Sequence, residues 1–278
     1  MLPDTLISVA TRALAGGRGI TVLTGAGISA ESGIPTFRGP EGYWQVGSRN
    51  YKPEDIGTLA MFRREPDEVW RWYLFRRTVC GKARPNRAHL ALVALEQAFG
   101  DRFTLVTQNV DGLHERAGSG PGRTLHVHGS LDYMRCGEDC TPEIHAFPEG
   151  VGAYRRETEL ADADRALLVC PRCGALARPH VLWFDESYDE AHYRFDTALR
   201  VAAGTGLLIT VGTSGATNLP NHVLNLVIRS GGKVIDVNVE PNLFGRMATV
   251  NGGFSLLGRS GEVLPALVDA LVPLAGHG

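Results

Sequence analysis

ITVLTGAGISAESG, residues 20–33, opens on an apolar, β-branched run and passes straight into two closely spaced glycines. A run this short and apolar, ended by glycine, has the pattern of a strand buried on both faces. The shape recurs in FTLVTQNVDG from Phe103, VLWFDE from Val181, LLITVGTSG from Leu207 and VIDVNVE from Val234. Helix-compatible stretches lie between, NRAHLALVALEQAF at 86–99 and residues 221–229 among them. The alternation predicts βαβ units and an α/β fold on a doubly wound parallel sheet. Ligands on such sheets bind outside the carboxyl ends of the strands, which is where the polar clusters fall.

Two segments break the alternation: residues 41–83, rich in aromatics and arginine and expected to be helical, and residues 131–177, which hold the cysteine pairs. Both read as insertions that form a small second lobe. The 278 residues are then one domain, with 1–40, 84–130 and 178–278 carrying the sheet. At 44% hydrophobic and 21% charged, the chain has material for one large core and a smaller module. A formal charge of -2 supplies no global field to hold nucleic acid directly, so composition favours small-molecule or protein substrates. The first residues lack a basic region followed by an apolar run, and no stretch nears the roughly 18 apolar residues of a membrane span. The expected compartment is the cytoplasm, with no membrane partner.

Gly25-Ala26-Gly27-Ile28-Ser29-Ala30 fits G-x-G-x-x-A directly after a strand, where glycines let a backbone approach a pyrophosphate. Alone the motif is weak, since glycines also serve tight packing. An ordinary dinucleotide site adds an acidic residue about 20 positions on, at a second strand end, and GYWQVGSRNYKPED there is no strand. Asn109 and Asp111 can offer an amide and a carboxylate from one loop, although Asn-Val-Asp-Gly is also turn chemistry. His128 closes LHVHG; a histidine there suits a general base but is commonly structural. Of five cysteines, Cys136, Cys140, Cys170 and Cys173 form C-x3-C and C-x2-C pairs suited to tetrahedral zinc. Residues 141–169 between the pairs exceed the roughly 15–20 of a zinc ribbon. Cys80 is left over as an idle thiol.

GAGISAESGIPTFRG at 25–39, TQNVDGLHERAG at 107–118 and His128-Gly129 resemble the sirtuin signatures. Paired cysteines, RPHVLWF, VGTS, VNVEP and GRSGEVLPAL follow in that family's order, so the resemblance spans nearly the whole chain. It implies a Rossmann-like lobe with an inserted zinc lobe, NAD as cosubstrate, and one structural zinc on the four cysteines. The implied activity is NAD-dependent deacylation of an acyl-lysine protein. The amide oxygen of the acyl group attacks the nicotinamide ribose, an imidate forms, and His128 draws a proton through the ribose hydroxyls. Nicotinamide, free lysine and O-acyl-ADP-ribose leave. By the same resemblance Asn109 and Asp111 hold the carboxamide, Gln108 reaches the ribose, Phe37 gates the reactive carbon and Arg38 contacts phosphate. Gly25, Ala26, Gly27, Ser29 and Glu31 line the cofactor pocket. Gly212, Thr213 and Ser214 take phosphate, Asn238 and Glu240 the adenosine ribose, and Arg259 with Ser260 the adenine. His126, taken to share a strand face with His128, is assigned to packing.

Tyr73 and Arg76 stand at i and i+3 of a helix, a Y-x-x-R spacing similar to the sirtuin branch that removes succinyl, malonyl and glutaryl groups. Thr36 and the following GYW fit that branch; a solvated arginine face is the plainer reading. Val181, Trp183 and Phe184 fall on the substrate strand. Two stretches depart from the family pattern: Asp185 stands where glycine is usual, and 215–222 read GATNLPNH where apolar residues are common. Peptide binding by strand addition uses both elements. The competing function is therefore an ADP-ribosyltransferase or NAD hydrolase using the same pocket.

Overall fold

The computed structural model describes residues 2–36 and 51–276. Phe37, Arg38 and the first part of the helical insertion lie outside them. Among the described residues nine strands form two sheets. The large one is built from β1 (Gly19–Thr24), β2 (Phe103–Thr107), β3 (Thr124–His126), β7 (Thr205–Val211), β8 (Lys233–Asn238) and β9 (Phe254–Leu257). Its order is β3-β2-β1-β7-β8-β9, and every neighbouring pair is parallel.

Period-2 alternation delivers the strand side chains to two cores. Ile20 and Val22, Phe103 and Leu105, Leu207 and Ile209, and Ile235 and Val237 face helices Leu6–Leu14, Arg87–Phe99 and Ser260–Leu271. Leu23, Val106, Leu208 and Val234 face Phe195–Gly204, Asn218–Arg229 and Leu243–Val250. Covered on both sides, the central strands read as continuous apolar runs for this reason. Helix Arg87–Phe99 starts behind an Asn86 cap whose side chain accepts from the Ala88 amide at 2.9 Å. Helix Asn218–Arg229 begins earlier than the expected 221, because Pro220 is tolerated in a first turn, where its missing N–H has no partner to lose.

The small lobe holds an antiparallel sheet of β4 (Gly129–Cys136), β5 (Ile144–Ala146) and β6 (Ala177–Val181), in the order β5-β4-β6. One expectation fails here: residues 181–186 are not a parallel strand of the main sheet. Val181 ends β6, paired antiparallel with Gly129, and the chain then turns off. The small sheet also starts before residue 131 and ends after 177. Helices Leu59–Arg64 and Pro66–Lys82 pack on it through a core that includes Phe62, Trp70, Tyr73, Leu131, Met134 and Trp183. No helix among the described residues is long and apolar enough to cross a membrane.

Candidate active site at the switch point of the sheet

From β1 the chain moves outward to β2 and β3, and it later returns to β7 on the other side of β1. The C-terminal ends of β1 and β7 thus mark the topological switch point, where ligands of such sheets bind. The glycines of both loops meet there. A Cβ on Gly27 would lie 2.6 Å from the Gly212 Cα, and Gly212 itself sits at φ +58°. The Gly25 amide donates to Val211 O at 3.0 Å and that of Gly27 to Gly212 O at 2.9 Å. Packing thus accounts for these glycines, and the Gly27 amide is consumed by the neighbouring strand loop. After Gly25 the chain enters a 3-10 turn, Ala26–Ser32, in place of the long helix of an ordinary dinucleotide site.

The loop after β2 folds against this turn. Asn109 Nδ2 donates to Gly25 O at 3.1 Å and to Ser29 Oγ at 3.3 Å, and the Ser29 hydroxyl donates to Asp111 Oδ2 at 2.7 Å. Asp111 Oδ1 accepts from the Leu113 amide at 2.9 Å. Burial raises the Asp111 pKa, while the bonds from Leu113 and Ser29 pull it back. Gln108 Nε2 donates to Thr213 Oγ1 at 2.9 Å, and Asn238 Nδ2 to Thr213 O at 3.0 Å. Ser29, Asn109 and Asp111 thus form one hydrogen-bonded set and Gln108, Thr213 and Asn238 a second, and the Gln108–Asn109 peptide joins the two.

His128 reaches the network from beyond β3. The strand stops at His126, so the two histidines do not share a strand face as expected; His126 pairs instead with Glu115. His128 Nδ1 lies 3.0 Å from the Gln108 carbonyl. A carbonyl only accepts, so Nδ1 carries the proton and Nε2 keeps its lone pair, the state a general base needs. Burial lowers the His128 pKa to about 4, against a smaller raising effect of that carbonyl. Gly129 follows at φ +80°, where a Cβ would stand 2.0 Å from His180 O. Only glycine lets β4 leave the site there.

Other sequence-predicted residues fall elsewhere. Glu31 accepts from Ser260 Oγ at 3.1 Å and from the Gly261 amide at 2.7 Å, which places its carboxylate at the start of helix Ser260–Leu271, the helix that Arg259 caps. Ser214 and Glu240 are exposed. Tyr73, Trp183 and Arg76 come together: the Trp183 indole N–H donates to Tyr73 Oη at 2.9 Å, and the Arg76 guanidinium lies 4.7 Å from the Trp72 ring centre and 5.4 Å from that of Tyr73. The Leu182 amide donates to His128 O at 3.0 Å, which ties this wall to the base. Phe184 is exposed, and its amide donates to Gly57 O at 3.0 Å.

Asp185 does not enter the cleft. Its carboxylate accepts from the Leu59 amide at 2.7 Å and the Ala60 amide at 3.1 Å, at the N-terminus of helix Leu59–Arg64. Thr58 accepts from the next amide, Met61, at 3.1 Å, so the first turn is satisfied jointly. Sequence reasoning passed over Tyr188, whose hydroxyl lies 2.8 Å from His128 Nε2, and Thr217, whose hydroxyl donates to Gln108 Oε1 at 3.1 Å. Tyr188 lies in no motif and offered only its aromatic character beside WFDE, whereas Thr217 falls in the 215–222 stretch that departs from the family pattern.

The four cysteine sulfurs of Cys136, Cys140, Cys170 and Cys173 lie within 4.8 Å of one another, with Cys136–Cys173 at 3.6 Å and Cys140–Cys170 at 3.7 Å. Tetrahedral zinc with bonds of about 2.3 Å spaces its sulfurs about 3.8 Å apart, so the set fits one structural zinc. Main-chain amides of Cys173 and then Arg172 lower the Cys170 pKa to about 6, while the neighbouring thiols of Cys173 and then Cys136 push that of Cys140 up. All four positions are cysteine, which leaves no open site for chemistry at the metal. The loop carboxylate, the amide of Asn109 and the base at the switch point fit NAD as cosubstrate.

A profile of the Sir2 family matches residues 25–218. A protein of Leptospira interrogans serovar Lai named NAD-dependent protein deacylase is 38% identical over 253 residues, covering 91% of this chain and 93% of that protein. NAD-dependent protein deacylase 2 of Pyrobaculum aerophilum is 40% identical over 256 residues, covering 92% of each. A crystal structure of a Sir2 homologue in complex with NAD superposes with a TM-score of 0.78 at 34% identity, covering 99% of this chain and 96% of that one. Motifs, fold and relatives agree over nearly the full length: the chain belongs to the Sir2 family.

Proposed function

We propose that this chain is an NAD-dependent protein-lysine deacylase that transfers an acyl group from lysine to ADP-ribose and releases nicotinamide. The observation that carries the reading is His128, whose Nδ1 is fixed by the carbonyl of Gln108 so that Nε2 keeps the lone pair of a base; Gln108 is next in the chain to Asn109, which with Asp111 converges on Ser29. In this reading Asn109 and Asp111 hold the carboxamide. Gln108, Thr213 and Asn238 line the ribose and phosphate path together with Gly25, Gly27 and Gly212, and His128 takes a proton from a ribose hydroxyl. Glu31 acts at one remove, by anchoring Ser260 and the start of the last helix. The four cysteines hold zinc as a clamp that joins the end of β4 to the turn before β6.

The position of Asp185 favours deacylation over the competing transferase or hydrolase, because its charge is turned onto main-chain amides and leaves the cleft open to a peptide. We read Tyr73 and Arg76 as the wall of a carboxylate subsite. The Tyr73 hydroxyl accepts from Trp183 and still has its own proton to donate, while Arg76 supplies a planar cation on a buried aromatic face. The test is an acetyl-, succinyl-, malonyl- and long-chain acyl-lysine peptide panel incubated with NAD and followed by mass spectrometry. Formation of O-acyl-ADP-ribose, lost in His128→Ala with NAD binding retained, is expected. Turnover of the acidic acyl groups should fall selectively in Arg76→Met. Nicotinamide release without deacylated peptide refutes the deacylase reading, and equal loss on all peptides refutes the subsite.

A further inference from the structure

The lone pair that makes His128 a base already has a partner. Because the Gln108 carbonyl fixes the proton on Nδ1, the contact at Nε2 has one polarity: the Tyr188 O–H donates and Nε2 accepts. The ring of Tyr188 is held independently, stacked on Phe195 with centres 5.6 Å apart and planes at 25°. It packs against the same core as helix Asn218–Arg229.

We propose that Tyr188 is a positioning residue that works by exchange. In the NAD-free enzyme its hydroxyl occupies the proton-accepting lone pair of His128; a ribose hydroxyl of bound NAD displaces it, and the tyrosine O–H gives up this bond. The proposal rests on the reading of His128 as the base. When the base acts, the ribose O–H bond breaks, an N–H bond forms at Nε2 and the imidazole becomes imidazolium, with Tyr188 neither oxidised nor charged. The exchange keeps the ring of His128 at one angle before the ligand arrives, and it withholds the base until a hydroxyl is there to compete.

Tyr188→Phe keeps the stacked ring and removes only the hydroxyl. One net hydrogen bond fewer then has to be broken on binding, so ADP-ribose measured by calorimetry should bind roughly 2–10-fold more tightly. KM for NAD should fall by a similar factor, with the change in KM rather than in kcat. A purely structural role would lower stability without tightening ADP-ribose. The wild-type enzyme supplies the second measurement: the 15N resonance of His128 Nε2 should shift when ADP-ribose is added, while Nδ1 stays protonated. Unchanged affinity in the variant, a fall in kcat at constant affinity, or an Nε2 resonance indifferent to ADP-ribose overturns the exchange. Failure of the wild-type protein to bind ADP-ribose at all would sink the reading of the site itself.

Discussion

Replacing Glu186 with alanine removes four hydrogen bonds from a single carboxylate. Glu186 accepts from Arg178 Nη1 at 2.5 Å and Nη2 at 2.7 Å, from Arg135 Nη2 at 3.3 Å and from the Trp183 amide at 3.0 Å. Arg178 is fully buried, lies 3.4 Å over the Trp183 ring and, among the described residues, keeps only the Val181 carbonyl as a hydrogen-bond partner, at 3.1 Å, once Glu186 is gone. Breaking a buried ion pair from one side strands the other charge and costs about 3–5 kcal/mol. The Glu186 side chain is 13% exposed, so water can reach part of the gap and the lower end of that range applies. About 3 kcal/mol lowers the folding equilibrium constant roughly a hundredfold. Urea unfolding should show it as a lower midpoint at an unchanged slope. The double variant Glu186→Leu with Arg178→Met discards both charges and should be more stable than Glu186→Ala alone, since an apolar pair does not strand a cation. A loss below about 1 kcal/mol in Glu186→Ala, or a double variant no better than the single, would falsify the account.

Metal analysis of the purified protein should find one zinc per chain, and Cys140→Ser should lose it and open the small lobe to proteolysis; a metal-free wild-type protein with an intact lobe refutes the clamp. Three buried histidines and the half-buried His128 set a pH dependence of stability: desolvation lowers His89 and His128 to about 4 and His114 and His180 to about 3, from an ordinary 6.5. Below about pH 6.5 the unfolded chain takes up protons that the folded chain refuses, so stability is full above that value and declines as pH falls toward the folded pKa values. Urea midpoints at pH 7.5, 6 and 5 should decrease in that order, and a flat series refutes the assignment of neutral buried rings.

How much of this was legible beforehand divides along the chain. The strands at 20–24, 103–107, 207–211 and 234–238 were plain because burial on both faces leaves no polar position to blur the pattern. The edge strand Phe254–Leu257 was not, being short and half solvated. The run at 181–186 misled: it is as apolar as a core strand, but its apolar residues serve the small lobe, where Val181 pairs with Gly129 and Trp183 packs on Phe62. Periodicity reports burial, not which sheet does the burying.

Local spacing along the chain carries the parallel sheet, the family and the pairing pattern of the four cysteines. Tertiary structure decided the rest. It put Asp185 on the amides of Leu59 and Ala60, sent Glu31 to the start of the last helix, fixed the tautomer of His128 through the Gln108 carbonyl and laid the Tyr188 hydroxyl on Nε2. Each of these is a hydrogen bond between groups far apart in the chain. A donor or acceptor in a sequence has no direction until the fold supplies its partner.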